Sequence, residues 1–208
     1  MPCFGTTDRT YNNAITLAKA LGTTVREINI ADSVRKHFDD IGHDEAKHDV
    51  TYENSQARER TQVLMDIANQ TNGIVIGTGD LSELALGWAT YNGDHMSMFN
   101  VNSGVPKTVV REVCKWYADN IPDDGKIMER HVAVALNDIL NTPVSPELLP
   151  SEDGKITQIT EEKIGPYELH DFFIWHFVAK KKSKSEILKL AGKTFKGVYD
   201  SSTVKKWL

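Results

Sequence analysis

The spacing of apolar positions along the chain predicts a series of helices interrupted by two short strands. Apolar residues recur every three to four positions, the period of a helix with one buried face, over residues 10–21, 32–41, 53–71, 107–118 and 128–140. Residues 24–30 alternate between apolar and polar, and residues 74–77 form a short apolar run after an Asn-Gly turn. Both segments are therefore predicted to be strands.

The order of these elements predicts the α/β class. Helix, strand, helix, helix, strand, helix is typical of a parallel sheet flanked by helices. Residues 81–86 form a further short helix, and residues 96–104 are predicted to be loop. We expect a nucleotide-binding α/β core over residues 1–120.

The second half of the chain has a different pattern. A proline-punctuated irregular stretch covers residues 142–150, and the polar residues 151–164 are predicted to be mobile. Helices are predicted over residues 167–179, 185–191 and 201–208. Residues 121–208 are therefore expected to form a mostly helical extension.

Composition and charge exclude several classes of protein. A net charge of −5 provides no general basic field, which argues against a nucleic-acid partner. No apolar run approaches the roughly 18–20 residues that a membrane span needs, and the N-terminus has no secretory pattern. The two cysteines are far apart, which fits a reducing compartment. We expect a cytoplasmic protein.

The predicted second strand is followed by Gly77, Thr78, Gly79 and Asp80. In open α/β sheets, ligands bind at the carboxyl ends of the strands. The Thr78 hydroxyl could bind a nucleotide, and Asp80 or Glu83 could hold a magnesium ion through oxygen. Alternatively, Asp80 caps the next helix and Glu83 completes a capping box. The two roles are compatible.

Asn54 and Arg58 lie four residues apart and therefore share one helix face. An amide and a guanidinium in that arrangement suit a carboxylate, a phosphate or a nicotinate amide. The alternative is a solvated helix face with scattered ion pairs.

A loop rich in glycine and asparagine is bracketed by Asp94 and Lys107. Lys107 could neutralise a phosphate, while Asp94 could bind a metal ion or orient a nucleophile. The alternative for Asp94 is an ordinary solvated loop carboxylate.

Taken in order, residues 54–60, 77–83, 87–94 and 106–108 resemble the synthetase domain of the NAD synthetases. Residues 142–148 and 167–172 are similar to its glutamine-dependent branch, in which a separate amidase domain supplies ammonia. The resemblance implies an adenine-nucleotide α-hydrolase-like, Rossmann-like fold. It also implies a ligase that amidates deamido-NAD to NAD through an adenylate, with ATP and Mg²⁺.

The same resemblance implies roles for individual residues. Thr78 would contact ATP, Glu83 would lie between the substrate and Mg²⁺, and Asp94 and Lys107 would be the catalytic residues of a loop that closes over the phosphates. The deamido-NAD site would be lined by Asn54, Arg58, Glu83, Trp88, Ala89, Thr90 and Tyr91. Because such sites lie at a subunit interface, a homodimer is implied as well.

Some expected features of that family do not occur in these 208 residues. They are a Ser-Gly-Gly-x-Asp-Ser loop, whose place would be upstream of Met1, the amidase domain, and a basic C-terminal tail. We therefore expect a piece of a larger enzyme that is inactive alone. Two other hypotheses are another amidating synthetase of the ATP-pyrophosphatase type and a non-catalytic nucleotide-binding or scaffold domain.

Overall fold

The computed structural model describes residues 1–122, 127–150 and 159–208. In these ranges the chain is mostly helical and contains one small sheet. The elements are α1 (Asp8–Ala20), α2 (Ala31–Ile41), α3 (Val50–Thr71), β1 (Ile76–Gly77), α4 (Leu81–Leu86), β2 (Phe99–Asn100), α5 (Lys107–Asp119), α6 (Ile127–Leu140), α7 (Thr160–Ile164), α8 (Tyr167–Ile174), a π-helix (Trp175–Ala179), α9 (Lys184–Thr194) and α10 (Ser201–Trp207).

The sheet consists of β1 and β2, which pair in parallel with Ile76 opposite Phe99. The prediction of a parallel sheet is confirmed. However, β1 is shorter than predicted, and β2 lies inside the segment that was expected to be loop.

The strand predicted over residues 24–30 is wrong, because no element of the described structure covers that segment. Ile30 is nevertheless buried, and its N–H donates to the carbonyl of Pro2 at 3.4 Å. Alternation predicts which side chains turn inward, but a strand also needs a ladder of backbone hydrogen bonds to a neighbour. In the described residues this segment has no such ladder.

Local capping explains two helix starts. The Asp49 carboxylate accepts hydrogen bonds from the amides of Thr51 and Tyr52 at 2.8 and 3.3 Å, so α3 begins at Val50, in what was predicted to be loop. The bounds predicted for α4 are confirmed, and Asp80 and Glu83 form the predicted capping box.

The helical C-terminal part differs from the prediction in two places. The helix predicted over residues 167–179 changes to π-helical geometry at Trp175. Helix α7 lies within the segment predicted to be polar and mobile, and residues 151–158 of that segment lie outside the described residues.

Two hydrophobic clusters form the core of the described structure. The first, which we call the N-terminal core, contains Ile30, Val34, Phe38 and Tyr52. The second, the C-terminal core, contains Leu169, Phe173, Ile187, Ala191, Phe195 and Val204. None of the helices in the described ranges is both long and apolar enough to cross a membrane.

Helix α5 shows that helical period and burial are separate properties. Its apolar positions recur as predicted, yet Val109, Val113 and Trp116 are 45%, 59% and 65% exposed. Helix α5 packs against α6, and α6 packs against α1. Arg9 of α1 donates two hydrogen bonds, of 2.8 and 2.6 Å, to the carboxylate of Asp138 in α6.

Candidate functional site

A cleft of about 360 Å³ lies where the first turns of α3, the loop after α4, residues 144–148, and α7 with the start of α8 meet. The predicted site residues that line it are Asn54, Glu83, Trp88, Ala89, Thr90 and Asp94. The first belongs to α3, and the others belong to α4 and the loop that follows it. The fold therefore brings together two motifs that lie far apart in the sequence, one on α3 and the other on α4 and the loop after it.

Helix α3 holds the loop after α4 through direct hydrogen bonds. The Thr90 hydroxyl donates to Asn54 Oδ1 at 2.8 Å, and the Thr90 amide donates to Asp94 Oδ1 at 2.7 Å. Arg58 Nε donates to the carbonyl of Tyr91 at 3.1 Å. The helix face that carries Asn54 and Arg58 is therefore a docking face for this loop rather than a purely solvated one.

The remaining predicted residues lie outside the cleft lining. Arg58 is an exposed residue of α3, and Tyr91 is 75% exposed. Thr78 is exposed immediately after β1, at the carboxyl end of the sheet. A Cβ on Gly77 would collide with the Ser97 side chain, so this glycine serves close packing within the chain.

Lys107 lies at the edge of the cleft and forms a cluster with two carboxylates. Its Nζ atom is 2.6 Å from Asp80 Oδ2 and 2.8 Å from Glu83 Oε1. Burial by itself lowers the pKa of Lys107, but the hydrogen bonds to Asp80 and Glu83 outweigh burial, and the pKa lies above its ordinary value. The ammonium is therefore held charged against both carboxylates.

This cluster also tests whether the described residues fit a magnesium ion. One cation, the Lys107 ammonium, reaches an oxygen of Asp80 and an oxygen of Glu83 at the same time. Magnesium is usually held by one or two carboxylates together with waters and substrate phosphates. The described residues contain no group of three or more His, Cys, Asp and Glu side chains that could hold a metal ion by themselves. The pair therefore fits a magnesium ion that arrives with a phosphate.

Tyr167, at the start of α8, lines the cleft and was not predicted from the sequence. Its ring lies 5.1 Å from Lys107 Nζ, within cation–π range. Its hydroxyl is buried and has no hydrogen-bond partner in the described residues. Burial, followed by the nearby charges of Glu83 and Asp80, raises the pKa of the hydroxyl above its usual value. An unpaired buried hydroxyl is costly, so it is a natural donor to a ligand.

Sequence reasoning missed Tyr167 because it appears there as one member of a strongly apolar helix. Lys163 and Thr160 of α7 also line the cleft and were missed. Both follow a long irregular segment, and no local motif indicates that they return to the glycine-rich loop.

Comparison with solved structures defines the fold. The fold superposes on a glutamine-dependent NAD(+) synthetase from Cytophaga hutchinsonii with a TM-score of 0.69, at 22% identity, covering 96% of this chain and 30% of that one. The glutamine-dependent NAD+ synthetase from Acinetobacter baumannii, in complex with adenosine diphosphate, gives a TM-score of 0.56 at 22% identity, covering 100% of this chain and 33% of that one. The predicted adenine-nucleotide α-hydrolase-like fold is thus confirmed.

The family follows from sequence comparison. The family model for NAD synthase matches residues 1–206, and the chain therefore belongs to the NAD synthase family. It is 45% identical over 196 residues to a glutamine-dependent NAD(+) synthetase of Mycobacterium bovis. That match covers 92% of this chain and 28% of the relative, so the chain spans little more than a quarter of that protein's length. The predicted family is confirmed.

Proposed function

We propose that this chain forms part of the site at which an NAD synthetase converts deamido-NAD to NAD with ATP and ammonia. The observation that carries the proposal is the family match over residues 1–206. The geometry supports it, because the cleft gathers the amide of Asn54, the ring of Trp88 and the hydroxyl of Thr90 around one space. An aromatic face with a few convergent polar groups is typical of a nucleotide site.

The proposed reaction has two steps. An oxygen of the nicotinate carboxylate attacks the α-phosphorus of ATP, and pyrophosphate leaves. The nitrogen of ammonia then attacks the carbonyl carbon of the adenylate, AMP leaves with that oxygen, and the amide loses its extra proton to solvent or a base. Most of what a protein contributes to such a reaction is alignment and charge stabilisation.

We propose that Lys107 supplies charge stabilisation. In the structure its ammonium lies between Asp80 and Glu83. An arriving polyphosphate competes for the ammonium and leaves both carboxylates available for its counter-ion. Magnesium, when bound there, would neutralise the polyphosphate charge. Thr78, at the carboxyl end of β1, is the proposed ATP contact, and the adenosine diphosphate complex of the Acinetobacter baumannii protein supports an adenine nucleotide as ligand.

We propose Asn54, Arg58, Glu83, Trp88, Ala89, Thr90 and Tyr91 as the deamido-NAD contacts. Asn54 and Arg58 also hold the loop of Thr90 and Tyr91, so they would shape this site as well as contact the substrate. Asp94 accepts a hydrogen bond from the Thr90 amide, and we propose that it acts with Lys107 in the loops around the phosphates.

The wider organisation is also proposed. Residues 1–120 would be the nucleotide-binding core and residues 121–208 the helical extension, which is supported by the separate N-terminal and C-terminal cores. The name and greater length of the Mycobacterium bovis relative support an amidase domain that supplies ammonia from glutamine. A homodimer and a cytoplasmic location complete the proposal.

The test uses the intact protein with deamido-NAD and ATP–Mg²⁺, and NAD and AMP are quantified by chromatography. Ammonia and glutamine are compared as nitrogen donors, and nicotinate mononucleotide serves as an alternative acceptor. Equimolar NAD and AMP with either donor supports the proposal. Amidation of the mononucleotide alone would indicate another amidating synthetase, and nucleotide binding without AMP would indicate a non-catalytic domain.

A matched pair of tryptophan variants tests the place of the site. Trp88→Ala should raise the KM for deamido-NAD about 10-fold or more, because a stacking face is worth about 1–3 kcal/mol. Trp116→Ala, which removes an exposed ring on α5 outside the cleft, should leave that KM unchanged. Equal effects of the two variants would contradict the proposed site.

A further inference from the structure

A buried polar network links α8, in the C-terminal half, to the start of α5. Asp171 Oδ2 accepts hydrogen bonds from the Thr108 amide at 2.9 Å and the Thr108 hydroxyl at 2.7 Å. Asp171 Oδ1 accepts from the Ser82 hydroxyl, and Ser82 Oγ accepts the Lys107 amide at 2.8 Å. Asp171 is 7% exposed and Ser82 is fully buried.

This network supplies the cap that α5 lacks in its own sequence. The first amides of a helix have no intrahelical acceptor and need a partner. The residue before α5 is Pro106, whose side chain cannot accept a hydrogen bond. Asp171 and Ser82 provide the acceptors from two other helices, and a carboxylate at this helix end also suits the helix dipole.

The network positions both sides of the ion cluster: the Lys107 ammonium and the two carboxylates that it contacts. Lys107 is the first residue of α5, so the hydrogen bonds of its own amide and of the next amide set the direction in which its side chain leaves the backbone. Ser82 lies between Asp80 and Glu83, the two carboxylates that Lys107 contacts. The hydroxyl of Ser82 therefore ties the turn that carries the carboxylates to the turn that carries the cation.

We propose that Asp171 is a positioning residue, which acts through Ser82 and Thr108 to hold the Lys107 ammonium against Asp80 and Glu83. Asp171 does not line the cleft. Its effect on turnover rests on the proposed function, whereas its effect on the Lys107 side chain does not.

The experiment measures the reactivity of Lys107 in the intact protein without any nucleotide. The protein is treated briefly with an acetylating reagent, and the acetylated fraction of Lys107 is quantified by peptide mass spectrometry against Lys189 of α9 in the same sample. In Asp171→Ala the Lys107 rate should rise at least about fivefold, because the buried, doubly paired ammonium becomes a solvated amine. Ser82→Ala should have the same effect.

Two further variants separate positioning from stability. Asp171→Asn keeps an acceptor for Thr108. The acetylation rate of Lys107 in this variant should therefore stay within about twofold of the rate in the original protein. Phe173→Leu lies on the same helix but packs in the C-terminal core. It should lower the melting temperature and leave the Lys107 rate unchanged.

Turnover provides a second readout. In Asp171→Ala the kcat should fall about 10- to 100-fold, the cost of a small misplacement of a catalytic group. The KM for deamido-NAD should change much less than kcat, since Asn54, Trp88 and Thr90 line the cleft and make no hydrogen bond with Asp171 in the described structure.

The proposal is overturned if Lys107 reacts at the original rate in Asp171→Ala, or if Phe173→Leu raises that rate equally. Should Asp171→Ala fail to fold, Ser82→Ala decides, and an unchanged Lys107 rate in that variant overturns the proposal. Failure of the proposed function gives a different result: increased Lys107 reactivity in the variants, but no NAD from any of the proteins.

Discussion

At the scale of single residues, ion pairs and buried amides join segments that are far apart in the sequence. Asp138 accepts hydrogen bonds from Arg9 and from Asn13, so one carboxylate of α6 holds two residues of α1. Gln56 is fully buried, and its Nε2 donates to the carbonyls of Tyr52 at 3.0 Å and Leu148 at 2.8 Å. Both contacts lead to testable changes in stability.

The first prediction concerns pH. The side chains of Arg9 and then Asn13 lower the pKa of Asp138 to about 2, below its ordinary value. Because the pKa is depressed in the folded state, the pair's stabilisation is present above about pH 4 and is lost as pH falls toward 2. NMR titration should show the Asp138 carboxyl protonating with a midpoint at about 2. The difference in unfolding free energy between the original protein and Asp138→Asn should shrink over the same range. A midpoint near 4 for Asp138 would contradict this.

The second prediction concerns Gln56. Gln56→Ala leaves the buried Leu148 carbonyl without its donor, so the free energy of unfolding should fall by about 1–3 kcal/mol. The segment of Leu148 should also become more accessible to proteases, since its link to α3 is lost. Gln62→Ala, on the exposed side of the same helix, should change stability by less than about 0.5 kcal/mol. Chemical denaturation of both variants checks this, and similar losses would contradict it.

At the scale of elements, capping decides where helices begin and end. The predicted bounds of α4 are correct because both halves of its capping box lie within its own sequence. The cap of α5 comes from Ser82 and Asp171, which belong to α4 and α8. A local motif can therefore be predicted, whereas a cap that comes from another helix appears only after folding.

The third prediction concerns helix ends. Gly42 follows α2 with φ of 69°, and an added Cβ would meet no described atom within 4 Å. Gly42→Ala should therefore cost about 1–2 kcal/mol from backbone strain alone. Gly192 lies inside α9, also with open space around it, so Gly192→Ala should stabilise by about 0.5–1 kcal/mol. Thermal unfolding of the two variants should give shifts of opposite sign, and shifts of the same sign would rule out this explanation.

At the scale of the whole molecule, the C-terminal core lies entirely within residues 169–204, and the N-terminal core lies within residues 30–52. The cleft is lined from both halves of the chain, by α3 and α4 on one side and by α7 and α8 on the other.

The fourth prediction tests that division. Ile187 is fully buried in the C-terminal core, and Ile187→Ala should cost about 2–5 kcal/mol. Because the N-terminal core shares no residue with it, amide hydrogen exchange should accelerate mainly in α8, α9 and α10. Helices α2 and α3 should keep most of their protection. Equal loss of protection in all of these helices would show a single cooperative unit instead.

The sequence by itself determined the features that depend on neighbours along the chain. It identified the principal helices, the α4 capping box and the loop motif whose Trp88, Thr90 and Asp94 line the cleft, because these residues lie within a few positions of one another. Helical period and capping are local properties, and local sequence is sufficient to predict them.

Only the tertiary structure decided which distant segments meet. The predicted strand over residues 24–30 lacks a ladder, and Val109, Val113 and Trp116 of α5 are exposed. Tyr167 lines the cleft and Asp171 caps α5, although both lie far from α3 and α4 in the sequence. Strand pairing, burial and caps supplied by other helices all require partners that are remote in sequence. A periodic apolar pattern shows which side chains share one face of an element. Only the fold decides what that face packs against.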